Sequence, residues 1–209
     1  PTNCKIATAS VTVDPSAIVA SNDSASAING ASGATAVANA FTSDLVNGVA
    51  ASPANASLSV KAGTTVPAGL TFDPATGSVD VAAGTPAGSY VIHYTLCETL
   101  NPANCQDATI TVEVIAAPVV ASNDSKTGIN GATGDPAALN LFTGDTINGA
   151  AATPANATLS LAPGASVPSQ LSFDPATGVV AVNPGTPAGS YSFDYQLCET
   201  LNPTNCKIA

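Results

Sequence analysis

Arginine, tryptophan and methionine are absent from this sequence, and its 209 residues include only four lysines and one histidine. Fourteen acidic residues give a formal net charge of −10. A chain this acidic lacks the clustered positive charge with which proteins bind phosphate backbones or anionic lipid headgroups. The composition therefore excludes nucleic acid as a partner.

Long apolar runs are missing as well, because Gly, Pro, Asn or Asp interrupts every candidate before the roughly 18 residues that a membrane span needs. Membrane insertion is therefore not expected. Hydrophobic residues still make up 45% of the chain, which is too many for a disordered segment. The start at Pro1 shows no initiator Met and no signal-peptide pattern, and it predicts a mature product or a fragment.

What the sequence has in abundance is internal repetition. SNDSASAINGASG at 21–33 returns as SNDSKTGINGATG at 122–134, and LCETLNP at 96–102 returns at 197–203. Both offsets are 101 residues (122 − 21 and 197 − 96). The chain is therefore predicted to contain two tandem copies of one module.

The heptapeptide PTNCKIA occurs at 1–7 and again at 203–209, which is 202 residues or two modules later. This overlap predicts that residues 1–20 are the C-terminal strand of a preceding module. Residues 21–117 would form module 1, and residues 118–209 would form module 2 without its last strand. Two interpretations remain open: a window from a longer covalent array, or a subunit whose strand at 7–14 completes a neighbour. Both make copies of the same module the partners, with Cys4 and the strand at 7–14 at the junction.

The patterning predicts an all-β fold. Segments such as SVTV and ATITVEV alternate apolar with small polar residues, and turn clusters separate them. About seven strands in each 101-residue module favour tandem immunoglobulin-like β-sandwiches joined end to end. The best helical candidate is the short segment 35–45. The predicted large core residues are Phe41, Phe72, Tyr90, Tyr94, Phe142, Phe173, Tyr191 and Tyr195.

The cysteines flank a predicted hairpin in each module. Cys97 and Cys105 have Asn101-Pro102 between them, and Cys198 and Cys206 repeat this arrangement. Disulfides across these hairpins would each contribute about 2–3 kcal/mol in the chain-entropy model. Cys4 aligns with Cys105, so its partner is expected outside this stretch of sequence. Disulfides imply an oxidising, extracellular setting.

No enzyme is expected. A repeated activity would need residues present in both copies, but the only histidine, His93, has Asp194 as its counterpart. No lysine is shared between the copies either, and two cysteines without histidine make a poor zinc site.

The acidic residues present in both copies are the remaining candidates for chemistry. Asp73 and Asp174 open F-D-P-A-T-G turns, in which the carboxylate is expected to bond its own backbone. Clustered carboxylate and amide oxygens near the module junction suit Ca²⁺, and exposed capping and turn residues are the alternative. The candidate calcium ligands are Asn22, Asp23, Asp44, Asn123, Asp124 and Asp145.

The stretch V-P-A-G-L-T-F-D-P-A-T-G at 66–77, followed by G-T-P-A-G-S-Y, resembles the bacterial putative-Ig repeat family. The whole module is similar to the tandem modules of large bacterial surface adhesins and extracellular fibre proteins. This resemblance implies a stalk or filament at the cell surface, with Ca²⁺ at the junctions in many such proteins. An adhesive module that binds a surface glycan or a partner cell is the alternative function.

Overall fold

The computed structural model describes residues 3–209, and all regular structure within them is β. The first half contains β1 (Ile18–Val19), β2 (Asp23–Asn29), β3 (Ala34–Asn39), β4 (Leu45–Val46), β5 (Val49–Ala50), β6 (Ala56–Val60), β7 (Leu70–Phe72), β8 (Ser78–Val81), β9 (Gly88–Glu98) and β10 (Cys105–Ile115). The second half contains β11 (Val119–Val120), β12 (Asp135–Asn140), β13 (Thr146–Ile147), β14 (Ala150–Ala151), β15 (Ala157–Leu161), β16 (Leu171–Phe173), β17 (Val179–Val182), β18 (Tyr195–Glu199) and β19 (Cys206–Ile208).

Module 1 is a β-sandwich. One sheet has the strand order β2-β10-β9-β6, the other has the order β3-β8-β7, and the short sheet β1-β4-β5 closes one end. The antiparallel pair β9–β10 runs without a break from Cys97 opposite Cys105 to Gly88 opposite Val114. β2 lies on the other side of β10 and is parallel to it.

The core of module 1 lies between these sheets. β9 and β10 alternate, so that Ile92, Tyr94 and Leu96 from β9 and Ile110 and Val112 from β10 have no exposed surface. Each aliphatic side chain buried in this way stabilises the fold by ~1.5–3 kcal/mol relative to an exposed position. These two strands therefore supply the centre of the core.

Module 2 repeats the architecture but is incomplete on one edge. Its sheets are β12-β17-β16, β15-β18-β19 and β11-β13-β14. β19 has three residues where β10 has eleven, and β18 has five where β9 has eleven. Residues 124–130, which correspond to β2, form no strand. In module 1, β10 lies between β2 and β9 and pairs with both. In module 2 no strand lies between residues 124–130 and residues 189–194, so neither segment has a neighbour to pair with.

The structure corrects one detail of the sequence prediction. The segment 35–45 is not helical, since Ala34–Asn39 pairs with β8 and Ala36 has a φ of 52°. Strand pairing within the sheet outweighs the weak local helix preference of this segment. Ile18 and Val19, which precede Ser21, pair with β4. The division of the chain into modules stays a prediction.

The predicted core aromatics divide into two groups. Tyr94, Tyr195 and Phe142 are buried, as expected. The other five are only half-buried: Phe41, Phe72, Phe173, Tyr90 and Tyr191. The hydroxyls of Tyr90 and Tyr191 donate to the carbonyls of Pro86 and Pro187.

Candidate functional site: the module ends and the open edge of module 2

Both disulfides lie at the same place in the two modules. Cys97–Cys105 joins β9 to β10, and Cys198–Cys206 joins β18 to β19, in each case between residues directly opposite each other in the ladder. Cys4 is an exposed free thiol. Each disulfide therefore closes the hairpin at one end of its module.

Next to the first disulfide, Glu98 holds the segment that enters module 1. Its carboxylate accepts hydrogen bonds from the Ser16 hydroxyl (2.7 Å), the Ser16 amide (3.1 Å) and the Asn104 side chain (2.9 Å). The Asn104 amide also donates to the Ser16 carbonyl at 2.8 Å. The hydrogen bonds from Asn104 and then Ser16 lower the pKa of Glu98 to about 2.

Glu199 holds the linker between the modules in the same way. Its Oε2 accepts from the Ala117 amide (3.2 Å) and from the side chains of Asn205 (2.8 Å) and Asn202 (2.9 Å). Asn205 also donates to the Ala117 carbonyl at 2.7 Å. Glu199 Oε1 is buried and has no hydrogen-bond partner among residues 3–209. Ala117 occupies the position of Ser16, whose hydroxyl fills this role in module 1.

Further hydrogen bonds cross the joint between the modules. The Ala87 amide donates to Asn202 Oδ1 at 2.7 Å. The Asn29 side chain donates to Asn148 Oδ1 at 2.8 Å, and Asn148 donates to the Ser32 hydroxyl at 2.9 Å. Together with the Glu199 contacts, they hold module 2 against module 1 at several points.

Only two of the three candidate calcium ligands of module 1 lie together in the structure. Asp23 and Asp44 meet at the buried hydroxyl of Tyr94, which lies 3.4 Å from Asp23 Oδ2, 3.1 Å from Asp44 Oδ2 and 2.9 Å from the Ser21 carbonyl. Asn22 turns away from them and accepts the Thr109 amide at 3.0 Å. The amide of Ser21 donates to Asp44 Oδ1 at 2.6 Å.

Burial sets the protonation of this pair. Desolvation, followed by the neighbouring charge of Asp44, raises the pKa of Asp23 from 3.8 to about 6. Desolvation also raises the pKa of Asp44 and that of the Tyr94 phenol. The phenol has one hydrogen for three nearby acceptors, so a protonated carboxyl group would ease the arrangement.

Module 2 repeats the cluster. The Tyr195 hydroxyl lies 3.1 Å from Asp124 Oδ2, 3.2 Å from Asp145 Oδ2 and 3.0 Å from the Ser122 carbonyl. Desolvation again raises the pKa of both carboxyl groups. Asn123 instead lines the open edge of the module.

This donor set does not fit a complete calcium site. Ca²⁺ takes six to eight oxygen ligands. The module 1 cluster brings together two carboxylates, one carbonyl and one phenol, and the module 2 cluster adds only the Leu141 carbonyl, 3.5 Å from the Tyr195 hydroxyl. Within residues 3–209, no three His, Cys, Asp or Glu side chains are grouped as metal ligands. The clusters are better described as acid pairs, one carboxylate buried and the other half-buried, that hydrogen-bond a core tyrosine.

The open edge of module 2 exposes part of its core. A cavity of about 290 Å³ lies there, lined by residues that include Asp124, Leu141, Leu171, Tyr191 and Phe193. Leu171 and Phe193 are half-buried. Their counterparts in module 1, Leu70 and Ile92, are buried, and Ile92 lies directly opposite Ile110 of β10. The cavity therefore occupies the place of the strand that β10 provides in module 1.

The segment before β1 has the sequence of a strand but belongs to no sheet, whereas the edge of module 2 is a sheet that lacks a strand. Residues 3–17 have no regular secondary structure. Ile6 is 99% exposed, and Val11 and Val13 are each 87% exposed. Val11 and Val13 align with Val112 and Val114 of β10, which are buried. We call residues 4–14 the arm.

The remaining predicted residues have simpler roles. The Asp73 carboxylate accepts from the Ala75 amide (2.9 Å) and the Thr76 hydroxyl (2.7 Å), which is the expected turn. Asp174 makes the corresponding contacts in module 2. His93 lies exposed on β9. The absence of enzymatic activity remains a prediction from the sequence.

The sequence prediction assigned no function to Glu98 and Glu199, which are present in both copies. The signal that could have revealed it is the equal spacing of Glu98–Asn104 and Glu199–Asn205, present in both copies. The Tyr94–Asp44 contact spans 50 residues, and no local pattern announces it.

Comparisons with known proteins give only distant structural similarity. No family model matches the chain, and no curated protein matches it. Among solved structures, protocadherin gamma B7 extracellular cadherin domains 1–4 align over 93% of this chain and 47% of their own, with a TM-score of 0.38 and 9% identity. Mouse cadherin-23 EC22-24 aligns over 93% of this chain and 61% of its own, with a TM-score of 0.36 and 12% identity.

Human CDH23 EC21-23 aligns over 94% of this chain and 67% of its own, with a TM-score of 0.35 and 14% identity. The chain thus spans less than two thirds of the protocadherin and the mouse cadherin chains. No helix with the length and apolar character of a membrane span occurs within residues 3–209.

Proposed function

We propose that this chain is a structural repeat segment of an extracellular stalk or filament on a bacterial surface. The observation that carries the proposal is the repeated joint. Glu98 and Asn104 hold Ser16 as Glu199 and Asn205 hold Ala117. The segment before Ser16 is therefore attached to module 1 in the same way as module 1 is attached to module 2. The same joint can then recur along an axis.

The setting outside the cell is supported by the two disulfides, since such bonds persist in oxidising compartments. The bacterial surface is supported by the resemblance of the repeat motifs. The partners would be neighbouring copies of the module. They would be connected either by a continuous chain or by exchange of the strand at 7–14.

Small-angle scattering and electron microscopy test the structural function. We expect an extended particle with the two modules in line, and longer rods of the same width from any assembly. A compact particle with folded-back modules would contradict the proposal. Retention of one defined sugar on a glycan array, saturable and tight, would favour the adhesive alternative instead.

A further inference from the structure

We propose that the open edge of module 2 accepts the arm of a second copy of this chain, in the register that β10 has in module 1. In this arrangement Cys4 takes the place of Cys206 as the disulfide partner of Cys198. The inference rests on the proposed function and specifies how neighbouring copies are joined.

The register follows from module 1. There, Val112 lies opposite Tyr90 and Val114 lies opposite Gly88. The same offsets place Val11 opposite Tyr191 and Val13 opposite Gly189. The outer side of the arm would then lie parallel to residues 124–130, as β10 lies parallel to β2. The arm and residues 124–130, which now belong to no sheet, would both become strands of one sheet.

Side-chain size supports this pairing. In module 1, Ile110 lies opposite Ile92 at the centre of the core. At the corresponding positions, module 2 has the larger Phe193 and the arm has the smaller Ala9. A larger residue opposite a smaller one keeps the core volume roughly constant, which cores tolerate well. The arm is therefore suited to the edge of module 2.

The arm can also replace the segment that now occupies part of this edge. Residues 1–7 and 203–209 have the same sequence, whereas 102–108 reads PANCQDA. β19 makes three ladder pairs with β18. The arm would make these pairs and continue along residues 189–194, burying Val11 and Val13, which are now exposed. Strand continuity and this burial favour the arm.

The disulfide step is a thiol–disulfide exchange. After β19 lifts from β18, the Cys4 thiolate attacks Sγ of Cys198, and the Cys198–Cys206 bond breaks as the Cys4–Cys198 bond forms. Cys206 leaves as a thiolate and takes up a proton. No net oxidation occurs. Cys4 and Cys206 lie in the same heptapeptide, so the Cys198–Cys206 and Cys4–Cys198 bonds are nearly equal in energy. Burial of the arm therefore drives the exchange toward Cys4–Cys198.

The test of the strand contact uses the 209-residue chain and two neighbouring arm variants that add the same charge. Val11→Asp would place a carboxylate in the core of the acceptor, whereas Thr12→Glu changes an outward position that Glu113 occupies in β10. In mass photometry and electron microscopy, we expect wild type and Thr12→Glu to form end-to-end chains and Val11→Asp to remain monomeric. Because Val11 is exposed in the monomer, both variants should fold. Chains formed equally well by Val11→Asp would overturn the inference.

The disulfide exchange has a separate readout. Non-reducing gels of assembled wild type should show a covalent ladder, and tryptic digestion should release peptide 1–5 linked to peptide 127–207. Cys4→Ser should assemble but give no ladder. Cys206→Ser leaves Cys198 as a thiol, so it should keep the ladder through Cys4–Cys198 only when a disulfide oxidant such as oxidised glutathione is supplied to accept the two electrons. Assembly that depends on Val11 but shows no ladder would overturn the exchange and leave the strand contact standing. A wild-type chain that stays monomeric at high concentration overturns both, while in-line modules in scattering would still support the proposed stalk.

Discussion

Glu98 and Glu199 occupy equivalent positions, but only one of them has both carboxylate oxygens bonded among the described residues. The Ser16 hydroxyl satisfies Glu98 Oε1 at 2.7 Å, and Ala117 offers Glu199 no hydroxyl. A buried acceptor without a partner costs ~1–3 kcal/mol. The linker joint is therefore less stable than the same joint in module 1.

Ala117→Ser should correct this defect. The new hydroxyl would donate to Glu199 Oε1, and we expect the free energy of unfolding of module 2 to rise by about 0.5–1.5 kcal/mol. Urea denaturation provides the measurement. Ser16→Ala is the matched control and should destabilise module 1 by a similar amount. A destabilising Ala117→Ser would show that the joint has no room for the hydroxyl.

Asp23 should make module 1 less stable as the pH rises. Its pKa is raised from 3.8 to about 6 in the folded protein, so the folded state binds the proton more tightly than the unfolded state. Stability from this group is complete below pH 4 and is lost between about pH 4 and 6. Glu98 acts in the opposite direction, since its pKa falls from 4.5 to about 2 and its contribution is lost as the pH falls through that range.

Melting temperatures measured from pH 3 to 8 would show this decline above pH 4. In Asp23→Asn the decline should be smaller, because the titrating group is gone. NMR titration of the Asp23 carboxyl carbon gives the pKa directly. A midpoint at or below the ordinary value of 3.8 would contradict the expected shift.

At the scale of elements, β9 and its counterpart in module 2 have closely related sequences but different structures. Residues 88–94 form a strand beside β10, whereas residues 189–194 form none. The difference comes from the neighbouring strand and not from local preference, since both segments carry G-S-Y followed by alternating residues.

Hydrogen exchange should reveal this difference directly. We expect the amides of residues 90–93 to be protected and those of residues 191–194 to exchange orders of magnitude faster in the monomer. In assembled chains, residues 191–194 should become protected. Equal protection of the two segments in the monomer would mean that the edge of module 2 is already covered.

At the scale of the whole molecule, each pair of neighbouring modules would determine the stability and the stiffness, because the same joint is repeated. The linker is short, includes Pro118, and has Ala117 bonded to module 2 at both its amide and its carbonyl. Each added module would bring one more such joint. The overall shape would then follow from repetition of a single geometry.

Calcium would be a further property of the whole molecule, and chelation tests it. Because each acid cluster has only two carboxylates and both face a core tyrosine hydroxyl, we expect the same melting temperature with calcium and with a chelator. A lower melting temperature in chelator, restored by calcium and absent in Asp44→Asn, would show that the predicted ligands bind the ion after all.

Much of this protein follows from sequence alone, because the relevant interactions are local or repeated. The 101-residue repeat, the β alternation, the Asp73 turn and the cysteine pairs across a hairpin all involve neighbours in the chain or equal offsets. Only the tertiary structure decided which distant groups meet. Asp44 reaches Tyr94 and Glu98 reaches Ser16 through packing across 50 and 82 residues. The tertiary structure also decided that segment 35–45 contains a strand and that the edge of module 2 is open, because strand pairing depends on which neighbour is present.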